Sequence, residues 1–195
     1  MFPRLPRSFF ARPTLEVARA VLGTRLVLLQ DGQRLAGYIT EAEAYIGETD
    51  QACHAKAGRT PRTRVMFGPP GHAYVYFTYG NHWMLNFVTE AEDFPAAVLI
   101  RAIQPTEGVE VIAARRQPQP SQRWTDGPGK LCRALGIDGQ HNGLDLCDDR
   151  SPLFVEEGLA VPDSSVTKGP RVGLYTVPEP WKSLPWRFRI THLEY

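Results

Sequence analysis

Hydrophobic and polar residues along the chain form short blocks, and most of these blocks have the two-residue period that is typical of β-strands. This alternation predicts strands at residues 25–30, 34–45, 73–79, 83–89, 95–103, 153–156, 171–175 and 186–191. Asp31-Gly32 separates the first two strands, and Gly80-Asn81 separates the next two, as expected of tight hairpins. The run at 95–103 is apolar except at Arg101, which predicts a strand buried on both faces.

Three other segments, residues 14–22, 109–116 and 127–136, have the pattern of short helices. In the first of them, Thr14 can cap the helix, Leu15, Ala18 and Leu22 share one face, and Gly23 ends it. Residues 47–72 have no clear period and are interpreted as a long loop. Loops of this length in compact domains are usually functional or disordered.

The order of these elements predicts the α+β class, with one curved, mainly antiparallel sheet and a few flanking helices. The chain has 195 residues, which is enough for one well-buried core and short for two domains. We therefore predict a single domain over residues 1–195, in which residues 1–11 form a loosely ordered arm.

The predicted strand at residues 34–45 carries acidic side chains near its end. Because side chains alternate with a period of two, Ile39, Glu41, Glu43 and Tyr45 are expected to share one face. A carboxylate there can deprotonate a water molecule that attacks an anomeric carbon. Paired acids are also common on the solvated faces of strands, so this pattern alone leaves both interpretations open.

Arg101 is the one charged residue in an apolar run, and a buried guanidinium without a partner carries a large desolvation cost. It needs a carboxylate, for which Glu41 and Glu43 are the natural candidates. The alternatives are a purely structural ion pair and an edge arginine that reaches water.

Tyrosines are frequent in the predicted strands, and Tyr45, Tyr76 and Tyr79 are candidates for binding an unstacked base. Aromatic walls stack most strongly on a cationic alkylated purine. Tyr79 lies near a hairpin tip, where an aromatic side chain can wedge into a duplex. Tyr74 is expected to fill the core, and ordinary core packing is the alternative for Tyr76.

The formal net charge is only +1, but the charges are segregated. Two stretches are rich in cations, namely Lys56, Arg59, Arg62, Arg64 and then Arg115, Arg116, Arg123, Lys130, Arg133, while Glu90, Glu92 and Asp93 cluster elsewhere. Such segregation permits a basic face for a polyanion, and two solvated loops are the alternative.

The segment Gly127-Pro128-Gly129-Lys130 resembles a phosphate cradle at a helix start, although a plain helix start explains it equally well. It is not a nucleotide-binding P-loop, because no Ser or Thr follows the lysine.

Cys53, Cys132 and Cys147 form no C-x-x-C motif, and the five histidines are scattered, so neither a disulfide framework nor a metal site is expected. No apolar run is long enough for export or for crossing a membrane, and a cytoplasmic location is expected.

Several motifs together resemble the alkyladenine (3-methyladenine) DNA glycosylase family, in its bacterial form. They are Glu41-Ala42-Glu43-Ala44-Tyr45, His54, Arg59-Thr60-Pro61-Arg62-Thr63-Arg64, Met66-Phe67, Tyr74-Val75-Tyr76-Phe77-Thr78-Tyr79-Gly80, Asn86, Val98-Leu99-Ile100-Arg101-Ala102, Gly127-Pro128-Gly129-Lys130-Leu131-Cys132 and Arg171-Val172-Gly173. They follow in order over nearly the whole chain, from about residue 14 to residue 188. The sequence departs from vertebrate members at Asn81-His82-Trp83, beside the predicted wedge.

The resemblance implies a monofunctional hydrolase that removes alkylated or deaminated purines from duplex DNA without a metal or cofactor. It implies that Glu43 is the general base, and that Arg101 and the backbone carbonyl of Val172 hold the attacking water. Since a purine alkylated at N3 or N7 is already cationic, it leaves with little acid assistance, and one base with one positioned water can suffice.

The resemblance also implies how the DNA is held. Tyr45 and Tyr76 are the expected stacking walls, with His54 opposite them, Asn86 crowds the exocyclic amine of normal guanine, and Tyr79 fills the gap left by the flipped nucleotide. The expected phosphate contacts are Arg62, Arg64 and Lys130. The expected partner is double-stranded DNA with a damaged purine, bound by a monomer.

Two other functions compete with this one. A non-catalytic module that binds damaged DNA or RNA has no need of Glu43 and Arg101 together. A hydrolase of free nucleosides has no need of two basic stretches, because a small neutral substrate carries no phosphate track.

Overall fold

The computed structural model describes residues 2–191, and within them eight strands form one antiparallel sheet. The strands are β1 (Arg25–Gln30), β2 (Gln33–Ile46), β3 (Ala73–Thr78), β4 (His82–Val88), β5 (Ala96–Glu107), β6 (Leu153–Glu156), β7 (Val166–Gly169) and β8 (Arg187–Ile190). The helices are α1 (Arg7–Phe10), α2 (Thr14–Ala20), α3 (Val109–Arg116) and α4 (Pro128–Leu135). The predicted α+β class is confirmed, and so are both hairpins. None of the helices in the described part of the chain is long and apolar enough to span a bilayer.

Strand β2 is the centre of the sheet, whose order is β3-β4-β5-β2-β1-β6. Its first half pairs with β1, most of its length pairs with β5, and residues 41–43 also pair with β8. One face of the sheet holds the main core, to which α2 and α4 contribute Val17 and Leu131. The other face carries a smaller cluster that includes Tyr74, Met66 and Ala97. The long segment at residues 47–72, which contains two single-turn 3₁₀ helices, supplies part of this second cluster.

The pairing of β2 with β5 is interrupted by bulges, and they correct the predicted face of Ile39. Ile39 pairs with Ile103 and Glu41 with Ala102, so β2 has one extra residue between them. A bulge of this kind inverts the alternation of the strand. Ile39 therefore enters the main core and does not share a face with the carboxylate of Glu43.

Helix α2 begins one residue earlier than predicted. Its N-cap residue is Pro13, and Thr14 is the first helical residue. The backbone N–H of Thr14 donates to Oε1 of Glu90 over 2.6 Å, so a distant carboxylate provides the cap. The predicted apolar face is also shifted, because Leu15 is partly exposed whereas Val17 is fully buried.

The N-terminal segment is packed against the body of the protein, which corrects the prediction of a loose arm. Leu5 and Phe10 are buried, and the N–H of Leu5 bonds to a carbonyl of β6. Nη2 of Arg7 lies 2.6 Å from a carboxylate oxygen of Asp145. The burial of two apolar side chains holds this segment in place, although its prolines and arginines mask that signal in the sequence. Residue 1 lies outside the described residues.

The strand predicted at residues 171–175 does not form, and strand β7 was not predicted. Residues 171–175 form turns, in which Gly173 has φ of +82°. Strand β7 is short and mostly exposed, with Thr167 and Lys168 facing solvent, so it has no apolar alternation to predict it. It extends the sheet by pairing with β8.

Candidate active site

A cavity of about 350 Å³ opens on the face of the sheet that carries the smaller cluster. Its volume lies within the range of small-molecule sites, which is about 300–1,000 Å³. Seven of the predicted site residues line it, namely Tyr45, His54, Tyr76, Tyr79, Asn86, Arg101 and Val172. They come from four strands and three loops, so the fold assembles the site from distant parts of the sequence.

Glu43 lies directly beside this cavity and is fully buried. Its Oε1 accepts the backbone N–H of Val172 over 2.7 Å, and its Oε2 accepts the hydroxyl of Tyr45 over 2.9 Å. Burial raises the pKa of Glu43, while Arg101 and these two donors oppose that rise and the nearby Glu41 adds to it. A buried carboxylate with a raised pKa, held by fixed donors, is suited to accept a proton near neutral pH.

Arg101 forms ion pairs with both of the carboxylates that were predicted as its partners, Glu41 and Glu43. Its Nε lies 2.7 Å from Oε1 of Glu41 and 3.3 Å from Oε1 of Glu43. Glu41 also lies 3.6 Å from Nη1 of Arg187 on β8. Arg101 has no paired residue on β2, because β5 contains a bulge at this position. The bulge allows its side chain to leave the core face and reach the cavity.

Sequence reasoning missed a fully buried ion pair that holds the Val172 segment. Nη1 of Arg171 lies 2.5 Å from Oδ2 of Asp50, and both side chains have no exposed surface. The same guanidinium donates to the carbonyl of Ala44 over 2.9 Å and lies 4.7 Å from the ring centre of Tyr45. Arg171 thus fixes the two residues that follow Glu43 and the segment that donates to it. The Arg171-Val172-Gly173 motif marks Arg171 in the sequence, but no sequence pattern indicates that Asp50 is its partner.

The aromatic side of the cavity corrects the predicted place of His54. The rings of His54 and Tyr76 meet edge to face with centres 4.5 Å apart, which leaves no room for a third ring between them. His54 therefore lies beside Tyr76 as part of one wall, rather than opposite it. Tyr74 is buried behind this wall as predicted, and its hydroxyl lies 3.0 Å from Nδ1 of His54.

The imidazole of His54 is expected to be neutral in the folded protein at physiological pH. Burial lowers its pKa to about 4, and the cations of Arg62 and Lys56 contribute. The neutral form is favoured by folding, so stability is fully present above the ordinary pKa of 6.5 and decreases as the pH falls toward 4. Acidification is expected to lower the free energy of unfolding of His54→Gln by roughly 2 kcal/mol less than that of the wild type. The measurement is urea unfolding at several pH values. An unchanged pH dependence in the variant would contradict the assigned shift.

Asn86 lies on β4 beneath the cavity and is buried. Its Nδ2 donates to the backbone carbonyl of Tyr74 over 3.0 Å, which fixes the plane of the amide. A rigid amide at this point of the cavity can discriminate between purines by the group that they present to it.

The tip of the β3–β4 hairpin forms the rim of the cavity. Tyr79 has φ of +52° and 81% of its surface exposed, in agreement with its predicted place at the tip. His82 packs against Gly129 at the start of α4, where a Cβ atom would lie 2.8 Å from the imidazole Cγ. Gly129 is therefore required for the packing of the hairpin, which accounts for this glycine without a bound phosphate.

The predicted phosphate contacts lie around the cavity but are not brought together in it. Arg62 is exposed and lies 5.1 Å above the ring centre of Tyr76. Arg64 is exposed on the second 3₁₀ turn, and Lys130 pairs with Asp126 over 2.8 Å. In the second basic stretch, Arg115 bonds to the carbonyl of Leu135, so part of that stretch is structural.

A buried carboxylate beside an aromatic cavity, with exposed cations and a protruding aromatic tip, is chemically suited to an enzyme that acts on a nucleic-acid base. The family described as Methylpurine-DNA glycosylase (MPG) matches residues 8–194. The chain is 50% identical to a "Putative 3-methyladenine DNA glycosylase" of Myxococcus xanthus, over 94% of this chain and 88% of that protein. Proteins with the same name from Methanocella arvoryzae and Chlorobaculum parvum are 50% and 42% identical, over 95% and 96% of this chain and 92% and 88% of their own lengths.

The chain belongs to the methylpurine-DNA glycosylase family. Membership confirms the family predicted from the sequence and the enzyme class, a hydrolase of N-glycosyl bonds that acts on DNA.

Proposed function

We propose that the protein flips an alkylated or deaminated purine out of duplex DNA and hydrolyses its N-glycosidic bond, with Glu43 as the general base. One observation carries this proposal: the carboxylate of Glu43 is fully buried beside the aromatic cavity and accepts the Val172 N–H and the Tyr45 hydroxyl. Burying a charge is costly, and a site that only bound DNA would have no use for a carboxylate there.

In the proposed reaction, Glu43 takes a proton from a water molecule while the oxygen of that water attacks C1′ of the deoxyribose. The bond between C1′ and the purine nitrogen breaks, and the purine leaves. The negative charge also stabilises the oxocarbenium character of the sugar in the transition state. Arg101 supplies donors that can orient the water. Its Nε is engaged by carboxylates, and its terminal nitrogens have no hydrogen-bond partner among residues 2–191. The backbone carbonyl of Val172 is the second proposed partner of the water.

The cavity favours a base that is already cationic. Its walls are formed by Tyr45 and Tyr76, whose faces attract a positively charged ring. Among the described residues that line the cavity there is no carboxylic acid, and His54 is neutral. A neutral deaminated purine, which requires protonation to leave, is therefore expected to react more slowly than an alkylated one. Asn86 is proposed to exclude normal guanine by crowding its exocyclic amine.

The test uses one duplex with a single 7-methylguanine and another with a single hypoxanthine, each incubated with the protein and then treated with hot alkali. Strand breaks at the lesion, together with free base found by chromatography, are the expected result. Faster release of the cationic base is expected. A retarded but intact duplex would support the binding module instead.

We predict that removing the ring of Tyr79 weakens binding to a lesion duplex by about tenfold, because extrusion costs a few kcal/mol that the inserted ring helps to offset. The measurement is fluorescence anisotropy with Tyr79→Ala and Tyr79→Asn. Asparagine tolerates the left-handed backbone at this position, so it removes the ring and keeps the turn. Retention of affinity by the asparagine variant alone would assign the effect to the backbone and contradict the wedge.

Exposed cations around the cavity are proposed to contact DNA phosphates. Arg62 and Arg64 are exposed, and Lys130 is partly exposed in its pair with Asp126. Contacts of this kind release counterions, so affinity is expected to fall with salt concentration. Since neither Arg62 nor Arg64 has an ion-pair partner among the described residues, these two are expected to contribute more than Lys130.

A further inference from the structure

Two large apolar or aromatic side chains in the described part of the chain are exposed far more than all others of this kind. Tyr79 has 81% and Tyr175 has 83% of its surface exposed, whereas the next most exposed apolar or aromatic side chains, Phe77 and Phe94, have 45%. Tyr79 is the tip of the hairpin at one side of the cavity. Within residues 2–191, Tyr175 has no side-chain hydrogen bond, ring contact or ion pair. A single exposed apolar residue is normal on a protein surface, so the significance of Tyr175 depends on its position.

Tyr175 projects from the segment that forms another side of the same cavity. Val172, Gly173 and Leu174 line the cavity immediately before it, and Val172 is itself 41% exposed. We call residues 172–175 the second lip of the cavity, the first being the tip of the β3–β4 hairpin.

The second lip is fixed at both ends. At its start, the Val172 N–H bonds to Glu43, and the preceding Arg171 forms the buried pair with Asp50. Beyond it, the N–H of Val177 donates to the carbonyl of Leu174 over 3.2 Å. The ring of Tyr175 is therefore presented on an anchored turn, which limits the entropy that would be lost on binding.

We propose that Tyr175 binds the duplex beside the flipped nucleotide, with its ring against the sugars and base edges of the groove on one side of the lesion. This inference rests on the proposed function, because it takes DNA as the occupant from the continuity of the second lip with the base cavity. The lip carries no acidic residue that would repel a phosphate. Apolar and aromatic side chains that contact base steps are typical of proteins that bind and deform the minor groove. Tyr79 and Tyr175 then contact the duplex at two places, and only Tyr79 enters the gap left by the flipped base.

The experiment separates a one-sided contact from the wedge. In the Glu43→Gln background, affinities are measured by anisotropy for three duplexes with a single 7-methylguanine: one with the lesion central, and two with the lesion close to one end or the other. We expect Tyr175→Ser to weaken binding about tenfold to the central duplex and to one end-placed duplex, and to have no effect on the other. Tyr79→Ala is expected to weaken all three equally. Tyr175→Phe, which keeps the ring, should bind as the parent does.

The matched control is Leu29→Ser, which removes an apolar side chain that is 44% exposed on β1. It is expected to bind all three duplexes like the parent. Parental affinity of Tyr175→Ser for every duplex, or an equal loss on all three, would overturn the proposal. A change in sedimentation of Tyr175→Ser without DNA, with unchanged affinity, would overturn it in favour of self-association.

The wild-type protein is assayed for base release alongside. If it binds the lesion duplex but releases no base, the hydrolytic function fails, while the duplex contact is still decided by the same affinities. If it releases base and Tyr175→Ser behaves as its parent, only the duplex contact fails.

Discussion

Replacing Glu43 with glutamine is expected to reduce base release by about a thousandfold, while the lesion duplex is still bound. The variant loses both the acceptor for the proton of water and the negative charge that stabilises the sugar in the transition state. The measurement is single-turnover release of 7-methylguanine, with affinity measured on the same duplex. Full activity of Glu43→Gln would remove Glu43 from the role of base.

The hydrogen bonds around Glu43 can survive this substitution. The amide oxygen of glutamine can accept the Val172 N–H, and its NH₂ group can donate to the hydroxyl oxygen of Tyr45. The side chain keeps its size, so no cavity is created. Because the fold around the site is maintained, a loss of activity in this variant reports on chemistry.

Glu156 provides the matched control for this prediction. It is another buried carboxylate, with only 1% of its surface exposed, and it pairs with Arg34 at β6, outside the candidate active site. Glu156→Gln is expected to lower the free energy of unfolding by roughly 1–3 kcal/mol, because Arg34 loses one of its two charged acceptors and keeps only Glu107. Its rate of base release per folded molecule is expected to equal that of the wild type. A comparable loss of rate in both variants would assign the Glu43 effect to general destabilisation.

The parts of the fold that the sequence predicts well are those governed by neighbouring residues. The β1–β2 and β3–β4 hairpins follow from tight-turn residues between alternating runs, as at Asp31-Gly32. Helix α3 has the predicted bounds, and α4 ends at Gly136, whose φ of +83° favours a residue without a side chain. The partners of Arg101 were also predictable, because a guanidinium in an apolar strand needs a carboxylate and few were within reach.

The features that were mispredicted depend on residues distant in sequence. The bulge beside Ile39 is a property of the pairing of two strands, and a period-two argument on one strand cannot detect it. The cap of α2 comes from Glu90, which is 76 residues away from Thr14. The second lip was interpreted as a strand, since its apolar residues alternate, but their side chains belong to the cavity and to its exposed edge.

The arrangement of the site shows the same division. The motif residues that approach the cavity were named from the sequence, but the wall that His54 shares with Tyr76 is set by the course of the 47–72 segment. The pair between Arg171 and Asp50 joins two loops that no local pattern relates. Long-range packing determines these contacts, so they become visible only when the chain is folded.

Replacing Arg101 with methionine is expected to lower base release at neutral pH by about a hundredfold and to move the acid limb of the pH–rate profile to higher pH. Glu43 acts when deprotonated, so activity is present above its pKa and is lost as the pH falls through it. Burial already raises that pKa, and Arg101 is the largest influence that opposes the rise. Without the guanidinium, the neighbouring charge of Glu41 adds to the effect of burial, and the pKa of Glu43 rises further.

Arg101→Lys separates the charge from the geometry of the guanidinium. A lysine keeps a cation near Glu43, so the acid limb of Arg101→Lys is expected to stay close to that of the wild type, while its rate falls because the fixed fork of donors is lost. The substrate is a duplex with 7-methylguanine, whose N1 proton dissociates near neutral pH. Both variants and the wild type are therefore measured on the same duplex, so that the difference between their acid limbs reports on the enzyme. Breaking a buried pair also destabilises the fold, by roughly 3–5 kcal/mol, and unfolding of the methionine variant is therefore followed at each pH. A uniform decrease in the rate of Arg101→Met, with an acid limb that coincides with the wild type, would show that Arg101 does not tune Glu43.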